Sequence, residues 1–338
     1  MKNILYLGNK LSTHGNTPTG IEVLGPLLES EGYSLRYASS KKSKVARLFE
    51  MIVATYRFGR KSDLVLIDTY STLNFWYAFL CSRLCVWFGV KYITILHGGN
   101  LPHRLRKSPG LCRKLFGNAF LSVAPSPYLF KIFADEGFKV AYIPNPIDVS
   151  DFPYTRRFQL RPKLLWVRSL ARIYNPMMAL EVLKLVQEKY PDAELCMVGP
   201  DKNKILPKLR QFASFHRLNV KFTGRLSKRE WALLSEDYDI FLNTSKVDNA
   251  PFSLLEATSL GLFILSNNVG GIPHIFTDQK TALLTTPGNA KAMATAVLQL
   301  LENKELQGVL QAGRSSLLEQ YQWQQIRKKW LQVIDELR

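Results

Sequence analysis

The sequence DIFLNTSKVDNAPFSLLEATSLGLFILSNNVGGIPH runs from residue 239 to residue 274 and contains a complete strand–helix–strand unit. DIFLNTS is an apolar run of strand length, PFSLLEATS is typical of a helix that begins at a proline, and FILS is a second buried strand. A strand, a helix and a second strand in this order form the repeating unit of a parallel α/β sheet. The stretch therefore predicts that its domain is doubly wound.

Similar strand-like runs alternate with helix-length segments along the rest of the chain. Continuous apolar runs of this length are typical of parallel strands that are covered on both faces. They predict an α/β protein of two facing doubly wound, Rossmann-like domains, with a single ligand cleft at the carboxyl ends of both sheets. The runs span residues 4–8, 34–39, 63–68, 91–99, 119–126 and 140–145 in the first half, and 164–167, 193–199, 220–224 and 282–285 in the second.

The length of 338 residues is about twice that of a typical domain and predicts two domains. Residues 148–162 are polar, basic and interrupted by proline, so we expect them to join a domain of residues 1–155 to one of residues 156–320. Residues 321–338 form a final helix, which we expect to pack back on the first domain through one apolar stripe. That stripe consists of Trp323, Ile326, Trp330, Val333, Ile334 and Leu337.

The chain is strongly basic, with a net charge of +18, a mean hydropathy of −0.06 and 46% hydrophobic residues. This composition excludes disordered, collagen-like and coiled-coil proteins. The excess positive charge attracts anions, among them nucleic acids, lipid headgroups and phosphorylated small molecules. Because no recognised nucleic-acid-binding motif accompanies the charge, we expect no nucleic-acid partner.

Three features predict a cytoplasmic protein. The apolar residues 73–90 are interrupted by Arg83 and are expected to form a buried helix rather than a membrane span. The N-terminus lacks the long apolar run and cleavage site of a secretory signal. The cysteines lack metal-site spacing and are expected to pack in the core of a reduced protein. They are Cys81, Cys85, Cys112 and Cys196.

The opening stretch also carries a pair of carboxylates, Asp248 and Glu256, followed by Gly261 and by a Gly-Gly-Ile-Pro turn at residues 270–273. This ordered set, taken with short motifs along the whole chain, resembles the retaining GT-B glycosyltransferases of family 4, of the glycosyltransferase group 1 type. The supporting motifs are HGG at residues 97–99, IPNPID at 143–148, WVRSL at 166–170, MVG at 197–199 and FTGRLS at 222–227.

The resemblance implies a GT-B architecture and a retaining, metal-independent hexosyltransferase without a cofactor. The donor would be a UDP-sugar or GDP-sugar, and the acceptor a hydroxyl of a glycan or lipid-linked glycan of cell-envelope type. By the same resemblance, the catalytic residues are His97, Asp248 and Arg168. The donor-binding residues are Arg172, Gly199, Arg225, Asn249, Phe252, Ser253, Leu254 and Glu256. The acceptor and phosphate loops contain Gly15, Gly20, Gly98, Gly99 and Asn145.

The segment around Glu256 has a physical rationale of its own. The amides of Phe252, Ser253 and Leu254 are expected to be unpaired first-turn donors, which suit a diphosphate. Glu256 could accept both hydroxyls of a ribose, and Asp248 could reach hydroxyls of the transferred sugar. The alternative is that Asp248 caps the helix and Glu256 is a solvated acid favoured by the helix dipole.

The cations of the phosphate site depart from the family pattern. The usual Arg and Lys align with Ser169 and Tyr174, so we expect Arg168 or Arg172 to contact phosphate. The alternative is that both are ordinary surface arginines. The sequence Asp237-Tyr238-Asp239 matches a metal-binding DxD motif by its letters, but we expect it to lie at a helix–strand junction and to hold no metal.

Residues 41–61 predict an amphipathic helix with lysines and arginines at both ends. Either its apolar face packs on the sheet and its charges are solvated, or the first domain adheres to anionic lipid as a peripheral protein of the cytoplasmic membrane face. The apolar face consists of Val45, Leu48, Phe49, Ile52 and Val53.

Two other functions remain open at this stage. A nucleotide-sugar epimerase would have the same architecture, and would turn over its substrate without an acceptor. A non-enzymatic polyanion-binding protein would be drawn to its partner by the net charge alone, with binding that falls steeply with salt.

Overall fold

The computed structural model describes residues 2–11, 19–147 and 152–336. The chain divides into two compact units: unit 1 comprises Met1–Pro146 and Trp323–Arg338, and unit 2 comprises Ile147–Gln322. In the part of the chain that the structure describes, no helix is long and apolar enough to cross a membrane.

Unit 1 contains a parallel sheet of six strands, each of which coincides with a predicted run. The strands are β1 (Asn3–Leu7), β2 (Ser34–Ala38), β3 (Leu64–Thr69), β4 (Tyr92–Leu96), β5 (Leu121–Ala124) and β6 (Val140–Tyr142). Their order is β2-β1-β3-β4-β5-β6, and every neighbouring pair is parallel. The strand order reverses direction between β1 and β3, and ligands of doubly wound sheets bind outside the carboxyl ends of the strands at such a point.

Helices cover both faces of this sheet. Alternate strand residues such as Leu5 and Ile67 form one core with the helices that follow β2 to β5, whereas Ile4 and Tyr6 form a second core with the helix that follows β1. The helices are α1 (Gly20–Ser30), α2 (Lys44–Phe58), α3 (Phe75–Phe88), α4 (Leu101–Lys107), α5 (Pro109–Phe116) and α6 (Pro127–Asp135).

Unit 2 repeats the design with a second parallel sheet of six strands. The strands are β7 (Lys163–Val167), β8 (Glu194–Val198), β9 (Val220–Gly224), β10 (Ile240–Asn243), β11 (Phe263–Asn267) and β12 (Leu283–Thr285). Their order is β12-β11-β10-β7-β8-β9, so the direction reverses between β7 and β10. The predicted class, an α/β protein with two doubly wound parallel sheets, is confirmed.

The helices of unit 2 are α7 (Pro176–Gln187), α8 (Leu206–Phe215), α9 (Lys228–Leu234), α10 (Phe252–Ser259), α11 (Ala290–Glu302) and α12 (Lys304–Glu319). The last helix of the chain, α13 (Trp323–Asp335), lies in unit 1. Ile326, Trp330 and Ile334 of this helix join the core formed by Ile4 and Tyr6.

The segment read from the sequence as a linker is instead packed into unit 2. Phe152 is buried in the core of unit 2. Arg157 is buried as well, and donates to the carbonyl oxygens of Tyr238 at 2.9 Å, Leu260 at 2.7 Å and Ser235 at 2.9 Å. Prolines and charged residues are typical of a solvated linker. In this segment, however, the guanidinium of Arg157 donates hydrogen bonds to buried backbone carbonyl oxygens.

The four cysteines are buried and free. Cys81 and Cys85 lie on α3, which ends at Gly89 in the left-handed conformation. Burial raises the pKa of each of these two thiols to about 12. Thiols with so high a pKa hold little thiolate at neutral pH and are chemically inert.

Candidate functional site

Two charged side chains meet where the strand order of unit 2 reverses. Arg168 is the first residue after β7, and Asp248 lies in the loop that joins β10 to α10. Arg168 Nη2 donates to Asp248 Oδ2 at 2.5 Å. Because β7 and β10 are the neighbouring strands at the reversal, this pair occupies the edge of the sheet at which doubly wound domains bind ligands.

The guanidinium of Arg168 is held in place from a second side by Tyr174, with its Cζ atom 4.9 Å from the ring centroid. Burial disfavours the charge, but the fields of Asp248 and Tyr174 outweigh it and raise the pKa of Arg168 above its ordinary value. Arg168 Nε is buried and has no hydrogen-bond partner among residues 2–11, 19–147 and 152–336. The arginine therefore keeps a donor that the protein itself does not use.

The loop that carries Asp248 is fixed by the Gly-Gly turn predicted from the sequence. Gly271 N donates to the carbonyl oxygen of Asp248 at 3.1 Å. Gly270 has a φ of +55°, and a Cβ atom there would lie 2.0 Å from the same oxygen. Only glycine fits this approach, so the turn sets the position of Asp248 through its backbone. Ser245 Oγ lies 3.3 Å from Asp248 Oδ2.

A second ion pair joins α10 to α9. Glu256, within α10, is buried, and its Oε1 atom lies 3.1 Å from Lys228 Nζ. Lys228 is the first residue of α9, whose start is fixed by a capping box: Ser227 N donates to Glu230 Oε2 at 2.7 Å, and Glu230 N donates to Ser227 Oγ. The alternative of a solvated Glu256 is therefore wrong.

Lys228 was missed in the sequence, although the capping box that positions it was recognised there. The S-x-x-E pattern places Lys228 at the first helical position. What the sequence could not show is that the first turn of α9 lies beside α10.

The N-terminus of α10 fits the predicted anion site in part. Pro251 is the N-cap residue, and within the described residues no side chain caps this helix. The amide of Leu254 was expected to be unpaired, but it donates to the carbonyl oxygen of Pro251 at 3.1 Å, because the chain turns tightly at the proline. The prediction for Leu254 was wrong, and the amides of Phe252 and Ser253 are the two that an anion could use.

Three other predicted donor residues of unit 2 differ in their surroundings. Gly199 has a φ of +146°, and a Cβ atom there would lie 1.8 Å from the carbonyl oxygen of Arg168, so this glycine lets β8 approach the arginine. The amide of Arg172 donates to Asn203 Oδ1 at 3.0 Å, and its side chain is exposed. Arg225 is exposed immediately after β9.

Buried polar side chains support the loop from below. Trp166 Nε1 donates to Thr244 Oγ1 at 2.9 Å, and Thr244 donates to the carbonyl oxygen of Tyr174 at 2.8 Å. Ser245 Oγ donates to Asn243 Oδ1 at 2.7 Å. Networks of this kind rigidify a buried region when their members are satisfied. Asn249, another residue predicted to bind the donor, is buried, and its backbone N–H donates to Asp248 Oδ1 at 3.0 Å.

Unit 1 places a buried acid next to the predicted histidine. His97 follows β4, and its Nε2 atom lies 2.8 Å from Oδ1 of Asp68, a buried residue of β3. Tyr6 donates to the same oxygen at 3.1 Å, and Tyr70 stacks on the imidazole with its ring centroid 5.4 Å away. Burial and the charge of Asp68 raise the pKa of Tyr6 well above its ordinary value, so Tyr6 remains a donor.

The sequence contained a signal for Asp68 that was not used. Asp68 ends the apolar run DLVLID, where a charge would be costly unless it had a partner. In the structure Asp68 Oδ2 is buried, and no hydrogen-bond partner for it occurs in the described ranges. A Cβ atom on Gly8 would lie 2.5 Å from this oxygen, so the turn after β1 also packs against the acid.

Of the remaining predicted residues of unit 1, three glycines lie next to His97. A Cβ atom on Gly20, the first residue of α1, would lie 2.5 Å from His97 Cε1. Gly98 and Gly99 follow the histidine, and a Cβ atom on Gly98 would lie 2.8 Å from Ser71 N. Asn145 is half-buried beyond β6. Gly15 lies outside the described residues.

The DxD sequence forms a structural ion cluster. Asp237 ends a short 3₁₀ helix, and Asp239 directly precedes β10, as expected for a helix–strand junction. The carboxylate of Asp239 accepts from Arg161 Nε at 2.9 Å and lies 3.5 Å from Arg157 Nε. Its oxygens are therefore committed to arginines. Over the described residues, no group of three or more histidines, cysteines, aspartates or glutamates is arranged to hold a metal ion.

Comparison with known proteins bears directly on unit 2. Residues 153–312 match the family model of the glycosyl transferases group 1. These residues lie within unit 2, and we call them the group 1 domain after the family that they match. This confirms the resemblance drawn from the motifs at the level of group 1. The matched range contains both ion pairs, Arg168 with Asp248 and Lys228 with Glu256, whereas His97 and Asp68 lie outside it.

The chain is also similar, over part of its length, to curated proteins. It is 30% identical over 149 residues to the sulfoquinovosyl transferase SQD2 of Arabidopsis thaliana, which covers 43% of this chain and 28% of that protein. It is 28% identical over 124 residues to the 2-deoxystreptamine N-acetyl-D-glucosaminyltransferase of Niallia circulans, or 36% of this chain and 31% of that enzyme. These matches thus span less than a third of each relative.

Solved structures extend the likeness to the whole chain at the level of fold. Sucrose-phosphate synthase from Thermosynechococcus elongatus superposes with a TM-score of 0.80 at 14% identity, covering 100% of this chain and 99% of that one. Anabaena HepE, solved in complex with UDP, superposes with a TM-score of 0.75 at 14% identity, covering 99% of this chain and all of that one. The group 1 domain therefore belongs to a protein of GT-B fold.

Proposed function

We propose that this protein is a glycosyltransferase that moves a sugar from a nucleoside diphosphate sugar to a hydroxyl acceptor. One observation carries the proposal: at the ligand-binding edge of the group 1 domain, two acids, Asp248 and Glu256, are each held by a cation. Acids accept hydrogen bonds from sugar hydroxyls, and cations neutralise a diphosphate. A nucleoside diphosphate sugar presents both groups in one molecule.

In this proposal the burial and the charge of each side chain decide its role within unit 2. Glu256 is buried on α10 and takes the ribose hydroxyls, while Asp248 on the loop takes hydroxyls of the transferred hexose. Arg168 and Lys228 neutralise the diphosphate, together with the free amides of Phe252 and Ser253. Arg168 replaces the arginine and lysine that the family pattern would place at Ser169 and Tyr174.

Unit 1 contributes His97. Asp68 only accepts hydrogen bonds when ionised, so it orients the imidazole with a proton on Nε2 and leaves Nδ1 for another partner. We assign that partner to the reacting sugar. Asp68 is then a positioning residue, since it acts through His97, and the glycines at positions 98 and 99 bring the backbone close to the acceptor.

We propose further that transfer retains the anomeric configuration and needs no metal. The bond from the anomeric carbon to the diphosphate breaks, and a bond to the acceptor oxygen forms on the same face of the sugar. The acceptor proton passes to the departing phosphate oxygen. Metal independence is supported by the arginine and lysine of the site, which supply positive charge, and by Asp239, whose carboxylate is committed to Arg161 and Arg157.

The substrates are proposed by class. Anabaena HepE has been solved with UDP-glucose and the pneumococcal transferase GtfA with UDP and GlcNAc, which makes UDP-sugars the first donors to test, with GDP-sugars next. The acceptor is a hydroxyl of a glycan or a lipid-linked glycan. Four free, buried cysteines are in keeping with a reducing compartment, so we place the reaction on the cytoplasmic side.

Calorimetry on Glu256→Ala and Asp248→Ala tests this division of roles. Hydrogen bonds to a charged acceptor contribute about 1.5–3 kcal/mol, so Glu256→Ala should bind both the free nucleoside diphosphate and the intact donor about 10-fold to 150-fold more weakly. Asp248→Ala should bind the free nucleotide normally and lose kcat, because the anomeric carbon is no longer held in place. Glu236→Ala, which removes an exposed acid of the same unit, is the control.

Four results would contradict the proposal. Equal loss of free-nucleotide affinity in the two variants would refute the division of roles, and no loss in either would remove these residues from the site. Turnover of the donor to an isomer without an acceptor would identify an epimerase. Activity that disappears with EDTA and returns with magnesium or manganese would overturn metal independence.

A further inference from the structure

The amphipathic helix α2 packs Leu48 and Ile52 against the core of unit 1 but leaves a second row of apolar residues exposed. Val45, Phe49, Val53 and Tyr56 recur every three or four residues and are exposed, Phe49 at 64%. The residues of α2 that are buried are Arg47, Met51, Ala54 and Thr55. The interpretation in which the apolar face packs on the sheet is therefore wrong for Val45, Phe49 and Val53, and a helix usually hides such a stripe from water.

The neighbouring helix α3 presents a second stripe of the same kind. Leu73, which precedes α3, and Trp76, Leu80 and Trp87 recur at helical spacing and are exposed, Trp87 at 68%. The two helices lie side by side, because Tyr77 donates to the carbonyl oxygen of Lys44 at 3.0 Å and the rings of Tyr56 and Phe88 lie 5.8 Å apart. We call the surface formed by these two stripes the docking face.

Basic residues without acidic counterparts border the docking face. Glu50 is the only acidic residue in positions 32–62, and positions 69–134 contain none. Among the described residues, the side chains that flank the stripes form no ion pair with an acid: Lys41, Lys42, Lys44, Arg57, Arg60, Lys61 and Arg83. A contiguous apolar surface inside an uncompensated positive rim marks an interaction site.

We propose that the docking face binds the surface of an anionic lipid bilayer. Apolar and aromatic side chains on one side of a helix enter the boundary between headgroups and acyl chains, where tryptophan is especially favoured. Lysines and arginines around them pair with anionic headgroups. One lipid surface satisfies both features, since it offers hydrocarbon and negative charge over the whole width of two adjacent helices. The proposal does not depend on the reaction assigned to unit 2.

The tryptophans of the chain make the docking face directly observable. Trp76 and Trp87 are exposed, whereas Trp166, Trp231 and Trp330 are buried in the cores. Contact of brominated acyl chains with the docking face should therefore quench mainly Trp76 and Trp87. The remaining tryptophan, Trp323, is half-buried on α13 and donates to Glu31 at 3.1 Å.

The test uses the full chain with vesicles of phosphatidylcholine alone, or of phosphatidylcholine mixed with phosphatidylglycerol, at low salt. We expect sedimentation with the anionic vesicles only, with tryptophan emission shifted to the blue and quenched by brominated lipid. In the double variant Trp76→Phe, Trp87→Phe, sedimentation should remain while quenching is lost. Phenylalanine can still insert into the lipid, but it does not contribute tryptophan fluorescence. Trp87→Ser should weaken binding about tenfold.

Charge is tested separately. A basic residue near an anionic surface contributes about fivefold in affinity, equivalent to about 1 kcal/mol, so Lys41→Ser, Lys42→Ser, Lys44→Ser should weaken binding about a hundredfold. Two control variants lie in unit 2. The triple variant Lys208→Ser, Arg210→Ser, Lys221→Ser removes the same amount of positive charge, and Phe215→Ser removes an aromatic side chain that is 81% exposed. Neither control should change vesicle binding.

Several outcomes would overturn the proposal. They are the absence of binding to anionic vesicles, equal binding to neutral ones, and equal weakening by the unit 2 controls. Sedimentation equilibrium provides another, since a dimer that Trp87→Ser dissociates would identify the docking face as a contact between two protein chains. Circular dichroism of each variant confirms that a lost interaction does not reflect lost structure.

Discussion

At the scale of single residues, Lys228 decides whether the buried Glu256 can face a second negative group. The lysine is paired with Glu256 at 3.1 Å, and in the proposed site a diphosphate would bring further negative charge to this pair. A carboxylate that is buried without its cation would repel that charge. The affinity for a nucleoside diphosphate should therefore depend on Lys228 even though the lysine was not visible among the family motifs.

Lys228→Met should weaken binding of the free nucleoside diphosphate about 10-fold to 150-fold, since a charge-assisted contact is worth about 1.5–3 kcal/mol. The matched control is Arg229→Met, which removes the exposed positive charge of the next residue and should leave affinity unchanged. Calorimetry with UDP and GDP measures both. If the two variants lost affinity equally, general electrostatic attraction rather than Lys228 would hold the diphosphate.

Residues of the site differed in how well the sequence exposed them. Asp248 and Glu256 were candidates from the sequence alone because Asp248 lies in a loop and Glu256 in the helix that follows it, so local structure fixes their spacing. Asp68 and Lys228 lie on different elements from their partners. Asp68 contacts His97 from the neighbouring strand, and Lys228 contacts Glu256 from the neighbouring helix. Such pairs form only when the chain folds. A local pattern can mark one member, as the end of the run DLVLID marks Asp68, but it does not name the partner.

At the scale of elements, the Gly-Gly turn after β11 controls the loop after β10. Gly270→Ala places a Cβ atom 2.0 Å from the carbonyl oxygen of Asp248, so the loop must move. We expect kcat to fall by up to about a hundredfold, the effect of displacing a reacting group by roughly 1 Å. Steady-state kinetics measures the loss.

Gly288→Ala separates this effect from backbone strain. Gly288 has a φ of +73°, comparable to the +55° of Gly270, but in the described structure nothing lies within 4 Å of the Cβ atom it would gain. Both substitutions should cost about 1 kcal/mol of folding stability or more, and thermal unfolding should show this for each. A comparable loss of kcat in Gly288→Ala would mean that strain, not the position of Asp248, governs turnover.

The elements themselves were largely readable from the sequence, and the exceptions have a common cause. All twelve strands of the described residues appeared in the sequence as apolar runs, because parallel strands bury both faces. The segment around Arg157 was predicted to be a linker. Of the two interpretations left open for the apolar face of α2, packing on the sheet holds for Leu48 and Ile52 but not for Val45, Phe49 and Val53. In both segments the residue pattern is present as predicted, but which residues pack against it is decided by other parts of the fold.

At the scale of the whole molecule, the chain passes between its two units twice. It leaves unit 1 after Pro146, forms unit 2, and returns at Trp323 to complete unit 1 with α13. The core built on Ile4 and Tyr6 therefore contains residues from both ends of the sequence. Unit 1 therefore cannot complete this core until α13 has been synthesised.

Trp330 provides the test of this dependence. The side chain is buried against the strands of unit 1, and truncating a buried tryptophan costs about 3–5 kcal/mol. Trp330→Ala should thus lower the unfolding temperature of unit 1 while unit 2 keeps its own transition and its affinity for nucleoside diphosphates. Trp87→Ala, which truncates an exposed tryptophan of unit 1, should leave both transitions unchanged in the absence of lipid. Scanning calorimetry with and without nucleotide distinguishes the units, because a bound ligand raises only the transition of the unit that binds it. A fall of both transitions together in Trp330→Ala would show that α13 stabilises the molecule as one cooperative body, and an unchanged scan would remove α13 from the core of unit 1.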